Sequence, residues 1–193
     1  MTRAAALLVS TGLIAACGSP APPDGFPSGD AMGVQDLQAV EEDSLVSTVG
    51  SCPVGAEPFS SLSATNGRQV RYVSEQRPVV GLFELGASQV EDVVAAARAA
   101  PEVCSTRRTR LQLDEDVAAA IASGAGLDES AVVVLTGEDG TSGPVSVYRR
   151  AAADLGDGRV VVVTTGDVAD GLLQQQALAA VESAREVTGV PRR

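Results

Sequence analysis

Neither histidine, lysine nor tryptophan occurs among the 193 residues, and aromatic residues make up only 3% of the chain. Without histidine there is no Ser-His-Asp triad, no histidine general base and no histidine metal ligand. Without lysine there is no Schiff base and no Ser-x-x-Lys nucleophile. The glycine-rich Gly124-Ala125-Gly126 lacks both the spacing and the lysine of a phosphate-binding loop. A sugar-stacking cleft is hard to furnish from Phe26, Phe59, Phe83, Tyr72 and Tyr148 alone. Most familiar hydrolase and transferase designs are excluded by composition, and no cofactor is expected.

What is present begins at the N-terminus. Arg3 supplies a positive start, Ala4 to Ala16 carry no charge, and Leu13-Ile14-Ala15-Ala16 lead into Cys17. A permanent membrane span needs ~20 apolar residues, so this run is too short to be one. It has the length of the apolar region of a secretory signal peptide. The Ile-Ala-Ala-Cys ending resembles the lipobox of bacterial lipoproteins. That resemblance implies a signal peptide over residues 1–16 and a diacylated Cys17 as the new first residue. Two acyl chains give stable anchoring where one is marginal, so the lipid on Cys17 would hold the protein at the cell membrane, facing the extracytoplasmic side. An ordinary signal peptidase cut after Ala21, with Ser19 and Ala21 as the small pair, is the alternative, and it would discard Cys17. A buried core helix over residues 1–17 fits less well, because the proline- and glycine-rich Gly18–Gly33 would isolate it.

Processing before Cys17 leaves 177 residues with 13 arginines and 25 acidic residues, a formal charge of −12. Such a surface is repelled by nucleic acid and by anionic head groups, so nucleic acid is not an expected partner. With Cys17 acylated, Cys52 and Cys104 remain as an even pair in an oxidising compartment, where a disulfide between them is the default. Neither lies in a Cys-x-x-Cys arrangement, which removes support for redox catalysis.

Residues 17–33 read as the lipidated cysteine and a flexible linker, and 34–193 as a single α+β domain. Val34–Val46 fits a short acidic helix or more tether. Val70 and Tyr72 alternate with Arg71 as in a strand, and Val79–Leu85 is a second apolar run. Ser88 with Glu91 forms a capping-box pattern, followed by Val90, Val93, Val94 and Ala97 on one helical face, with Pro101 as the stop and Cys104 just beyond. Thr106–Leu113 alternates as a strand, and Asp114–Ser123 suits a short helix or a loop. Ser130–Thr136, Val145–Arg150 and Val160–Thr165 are β-rich, separated by turn signals at Gly137–Gly140 and Asp157-Gly158, and so predict a meander. A last helix is expected from Asp170 to about Val187. Together these give an α+β fold: a mostly antiparallel sheet of five or six strands with two amphipathic helices on one face.

The strand before an Ala-rich helix, the exit Ala99-Ala100-Pro101-Glu102-Val103-Cys104, the Asp128-Glu129-Ser130 strand entry, and the terminal hairpin leading to a last helix resemble the extracytoplasmic sensor domain of mycobacterial-type serine/threonine kinases and related actinobacterial lipoproteins. The likeness covers residues 68–188 and implies a sensing or accessory role. The chain departs from that family in having one possible mature disulfide where the kinase domain has two, and no site residue transfers.

Arg107, Arg108 and Arg110, with Arg149 and Arg150, form a candidate anion-recognising patch, weighed against solvent-facing strand positions that discourage edge pairing. Asp114-Glu115-Asp116 and Asp154 with Asp157 do not match a calcium loop and read better as a first helical turn and a hairpin turn. Gln174, Gln175 and Gln176 are placed on the exposed flank of the last helix. The expected function is a non-enzymatic surface lipoprotein that binds an envelope protein, glycan or lipid ligand. A carboxylate-dependent envelope hydrolase and a carrier of an apolar ligand are the alternatives.

Overall fold

A computed structural model describes residues 21–34, 39–42, 67–74, 77–104, 109–139 and 146–187. Its elements are β1 (Ala39–Glu42), β2 (Gly67–Tyr72), β3 (Val79–Glu84), α1 (Ala87–Cys104), β4 (Thr109–Leu113), α2 (Glu115–Ala125), a 3-10 turn (Glu129–Ala131), β5 (Val132–Asp139), β6 (Ser146–Asp154), β7 (Arg159–Gly166) and α3 (Asp170–Glu186). The strands form one sheet in the order β1-β2-β3-β7-β6-β5-β4, with every neighbouring pair antiparallel.

The α+β class and the antiparallel sheet are those expected; the helix layers are fuller. Successive side chains of a strand point to opposite faces, and the central strands are apolar on both. Val132 and Val134 of β5 pack with Ala151, Ala153, Val161 and Val163 beneath Ile121 of α2 and Leu173 and Ala177 of α3. Val133 and Leu135 pack on the other side with Ala152, Val160 and Val162 beneath Val90, Val93 and Ala97 of α1. The expected single helical face is therefore two: α2 and α3 cover one side of the sheet and α1 the other. The unbroken apolar runs Val132–Leu135 and Val160–Val163 carry that information, because a sheet with one wet face would show polar alternation.

Helix boundaries differ in instructive ways. Gly86, not Ser88, enters α1, and its amide donates to Gln89 Oε1 at 3.0 Å, the reach-back half of a capping box shifted from the Ser88–Glu91 pair. Pro101 does not stop the helix, which continues to Cys104. Burial of Cys104 and its disulfide hold that last turn. Asp114 caps α2 by accepting the Val117 amide at 3.3 Å. Gly126, at φ +64, closes the helix in the left-handed conformation that glycine adopts without a Cβ penalty. Gly137, expected in a turn, lies inside β5 opposite Tyr148. A Cβ there would collide with the Tyr148 ring, so the glycine serves as the ring's floor.

Residues 21–33 are also not the free linker expected of them. Phe26, Met32 and Val34 are buried in the core beneath α3. The buried Tyr72 hydroxyl donates to Pro27 O at 2.7 Å, and burial pushes its phenol well above the ordinary value. Gln175 donates to Ala31 O and Gln176 to Met32 O, each at 3.1 Å. Gln176 is thus interior rather than on the exposed flank. Within Val34–Val46, residues 39–42 are strand β1, where a helix or tether was expected.

Candidate functional site

The most heavily charged interior feature is built on β6. Arg149 points to the α2/α3 side, where its side chain is 6% exposed. Its Nη2 donates to Asp114 Oδ2 at 2.5 Å, and its Nη1 to Asp170 Oδ1 at 2.5 Å and Val168 O at 3.1 Å. Asp114 caps α2 and Asp170 opens α3, so one guanidinium joins the N-termini of both helices. At their far ends Arg185 of α3 donates to Ala125 O, the last residue of α2, at 2.6 Å. The two helices therefore run side by side in the same direction. Each N-terminus carries ~+0.5 of a charge, so two N-termini plus Arg149 sum to ~+2, which the two aspartates offset. The C-terminal ends receive the complement: Arg159 Nη1 donates to Ala184 O at 2.6 Å and to Val187 O at 3.1 Å, besides pairing with Asp157. That pairing, first through the side-chain hydrogen bond, holds the Asp157 carboxyl below its usual range.

A groove of about 590 Å³ lies on the α1 side, between α1, the loop joining α2 to β5, and the β6–β7 turn. Val94 and Leu127 supply its apolar lining, and Glu91, Asp128 and Asp154 its acids. Its basic residue, Arg98, is engaged: Nη2 donates to Glu129 O at 2.9 Å and to Val132 O at 2.8 Å, and Nη1 lies 3.7 Å from Glu115. Three carboxylates beside a satisfied arginine give the groove a negative rim, which favours a cationic or hydrogen-bond-donating ligand. The groove is open at the surface rather than enclosed between sheet and helices.

The sequence candidates disperse. Arg107 and Arg108 lie outside the described residues, and Arg110 is exposed on β4 at the sheet edge. Arg149 and Arg150 join no surface patch: as neighbours on a strand they enter opposite faces, and both are buried. Arg150 Nε donates to Thr164 Oγ1 at 2.9 Å. Burial lowers its pKa to about 10, so it remains a cation at neutral pH. Cys104 is disulfide-bonded; Cys17 and Cys52 lie outside the described residues. Glu115 and Asp116 occupy the first turn of α2, as read from the sequence. Asp154 Oδ1 accepts the Gly156 amide at 2.8 Å within the expected hairpin turn. Among the described residues no cluster of acidic or cysteine side chains has the grouping of a metal site.

Sequence reasoning missed the Asp114–Arg149–Asp170 bridge. Its signal was partial: each aspartate stands at a helix start, but nothing local pairs them. No protein-family model, curated protein or solved structure matches the chain.

Proposed function

We propose that this protein is an extracytoplasmic lipoprotein, anchored through Cys17, whose α+β domain is a non-catalytic binding module using the groove between α1 and the β6–β7 turn. The observation that carries the reading is the groove's composition: an apolar lining with Glu91, Asp128 and Asp154 around it. Asp114, Asp170 and Asp157, by contrast, are engaged by arginines in helix-end roles. The resemblance read from the sequence over residues 68–188 to extracytoplasmic kinase sensor domains supports a sensing or accessory role. The groove carboxylates also favour a second reading, a carboxylate-dependent hydrolase acting on envelope material, in which two of them share acid and base roles.

The test places a photo-reactive benzoylphenylalanine at Ala95, inside the groove, or at exposed Val103 as control, in the full acylated chain within its native envelope. A specific adduct from position 95 that is absent from 103 and lost on Asp128→Arg is the expected result. Equal adducts from both positions, or none from 95, overturn the groove as the binding place. Release of envelope glycan fragments that stops with Glu91→Gln or Asp154→Asn would establish the hydrolase instead.

A further inference from the structure

The packed segment 21–34 fixes where the chain enters the domain. Arg68 Nη2 donates to Asp24 O, while the Arg68 guanidinium lies 5.1 Å from the Phe26 ring centre. Gly25 packs beside Leu82 and Val187. Val187 follows α3, and its carbonyl accepts from Arg159, the first residue of β7. Asp24 and Gly25 therefore lie at the end of the sheet that carries the β6–β7 turn. The segment then runs along α3 toward that helix's first turns, where Gln175 and Gln176 hold Ala31 and Met32. The groove takes Asp154 and Gly156 from the same β6–β7 turn.

Resting on acylation of Cys17, we propose that the anchored protein is held with this end, and the groove with it, facing the lipid surface of its own membrane. Gly25 is the eighth residue after Cys17, and eight fully extended residue steps span at most ~28 Å. Strand β6 has nine residues and, at ~3.4 Å per residue, runs ~30 Å along the body. Presenting the opposite end to the bilayer would require the chain between Cys17 and Gly25 to stretch beside the whole body, whose length even its full contour does not exceed. The end that faces the bilayer carries Asp24, Glu84, Asp128, Glu129 and Asp154 besides the Asp157–Arg159 pair; these acids outnumber Arg68, Arg98 and Arg185 there, so anionic head groups repel it. The leash thus brings the groove to the head-group layer while charge prevents the domain from adsorbing, and the groove stays open to a partner in that membrane.

The experiment uses the full acylated chain in vesicles of phosphatidylethanolamine and phosphatidylglycerol, with a fluorophore on Ser130→Cys or Glu138→Cys and an acceptor on the lipid head groups. These positions lie just before β5 and near its far end. Transfer from position 130 is expected to exceed that from 138 several-fold. A spacer of about twenty glycine and serine residues inserted between residues 20 and 21, with a reach of ~25 Å, should abolish the difference. Equal or reversed transfer in the acylated chain overturns the orientation, and a difference that survives the spacer overturns the leash as its cause. An intact mass without acyl chains on Cys17 overturns the anchoring itself, so the two failures are told apart.

Discussion

The two sides of the sheet are covered by helices whose ends are secured by different chemistry. On one side α2 and α3 lie parallel, so like ends of two helix dipoles sit together, and ions are placed at both: Asp114, Arg149 and Asp170 at the N-termini, Arg159 and Arg185 at the C-termini. On the other side α1 stands alone, without an acid in its first turn or a base in its last. It is entered through a neutral Gln89 contact and ends in a buried, disulfide-bonded Cys104. A parallel pair concentrates partial charge that must be offset, whereas a lone helix does not. Electrostatics is spent where the topology creates the need, and a covalent bond serves elsewhere.

The largest expected effect breaks the charged side. The double variant Asp114→Asn/Asp170→Asn leaves Arg149 buried without a carboxylate and should cost ~3–5 kcal/mol in urea denaturation, as for other stranded buried charges. Arg149→Met should cost clearly less, because Asp170 is 73% exposed and can turn to water. If the arginine variant is the more damaging, burial of the cation does not dominate the energetics of this bridge. Next, Cys104→Ser should lower stability by ~2–4 kcal/mol and raise hydrogen exchange in α1 while α2 and α3 stay protected. Equal loss of protection on both sides would mean that the two layers are not separately secured. The smallest effect concerns pH. The Asp157 carboxyl is held below its unfolded value by Arg159, so its stabilisation is present above the unfolded pKa and is lost as pH falls through the folded one. Asp157→Asn should therefore lower stability slightly at neutral pH, leave it unchanged below the folded pKa, and so flatten the acid limb of the stability profile.

Much of this fold was legible from short-range signals. The Ser130–Thr136 and Val160–Thr165 runs marked strands, Asp157-Gly158 marked the turn before the second of them, and Asp114-Glu115-Asp116 marked a helix start. Each rests on residues within a few positions of one another, where capping, turn geometry and periodicity act. The boundaries that went astray, at Ser88 and Pro101, are those where a neighbouring glutamine or a buried cysteine outweighed the local preference. Of the site, the acids were read only singly, Glu91 in a capping box, Asp128 in a strand entry and Asp154 in a hairpin turn, since they come from a helix, a loop and a turn that only the sheet brings together.

The sequence by itself determined most of the element types, the number of cysteines and the absence of histidine and lysine chemistry. The tertiary structure alone decided that Arg149 and Arg150 enter opposite cores, that Gln176 is interior, and that residues 21–34 belong to the folded body. The physical reason is separation along the chain. Arg149 finds its aspartates 21 and 35 residues away, and Gln176 finds Met32 across 144. A charged or amide side chain reads as surface until the fold supplies the partner that makes its burial affordable.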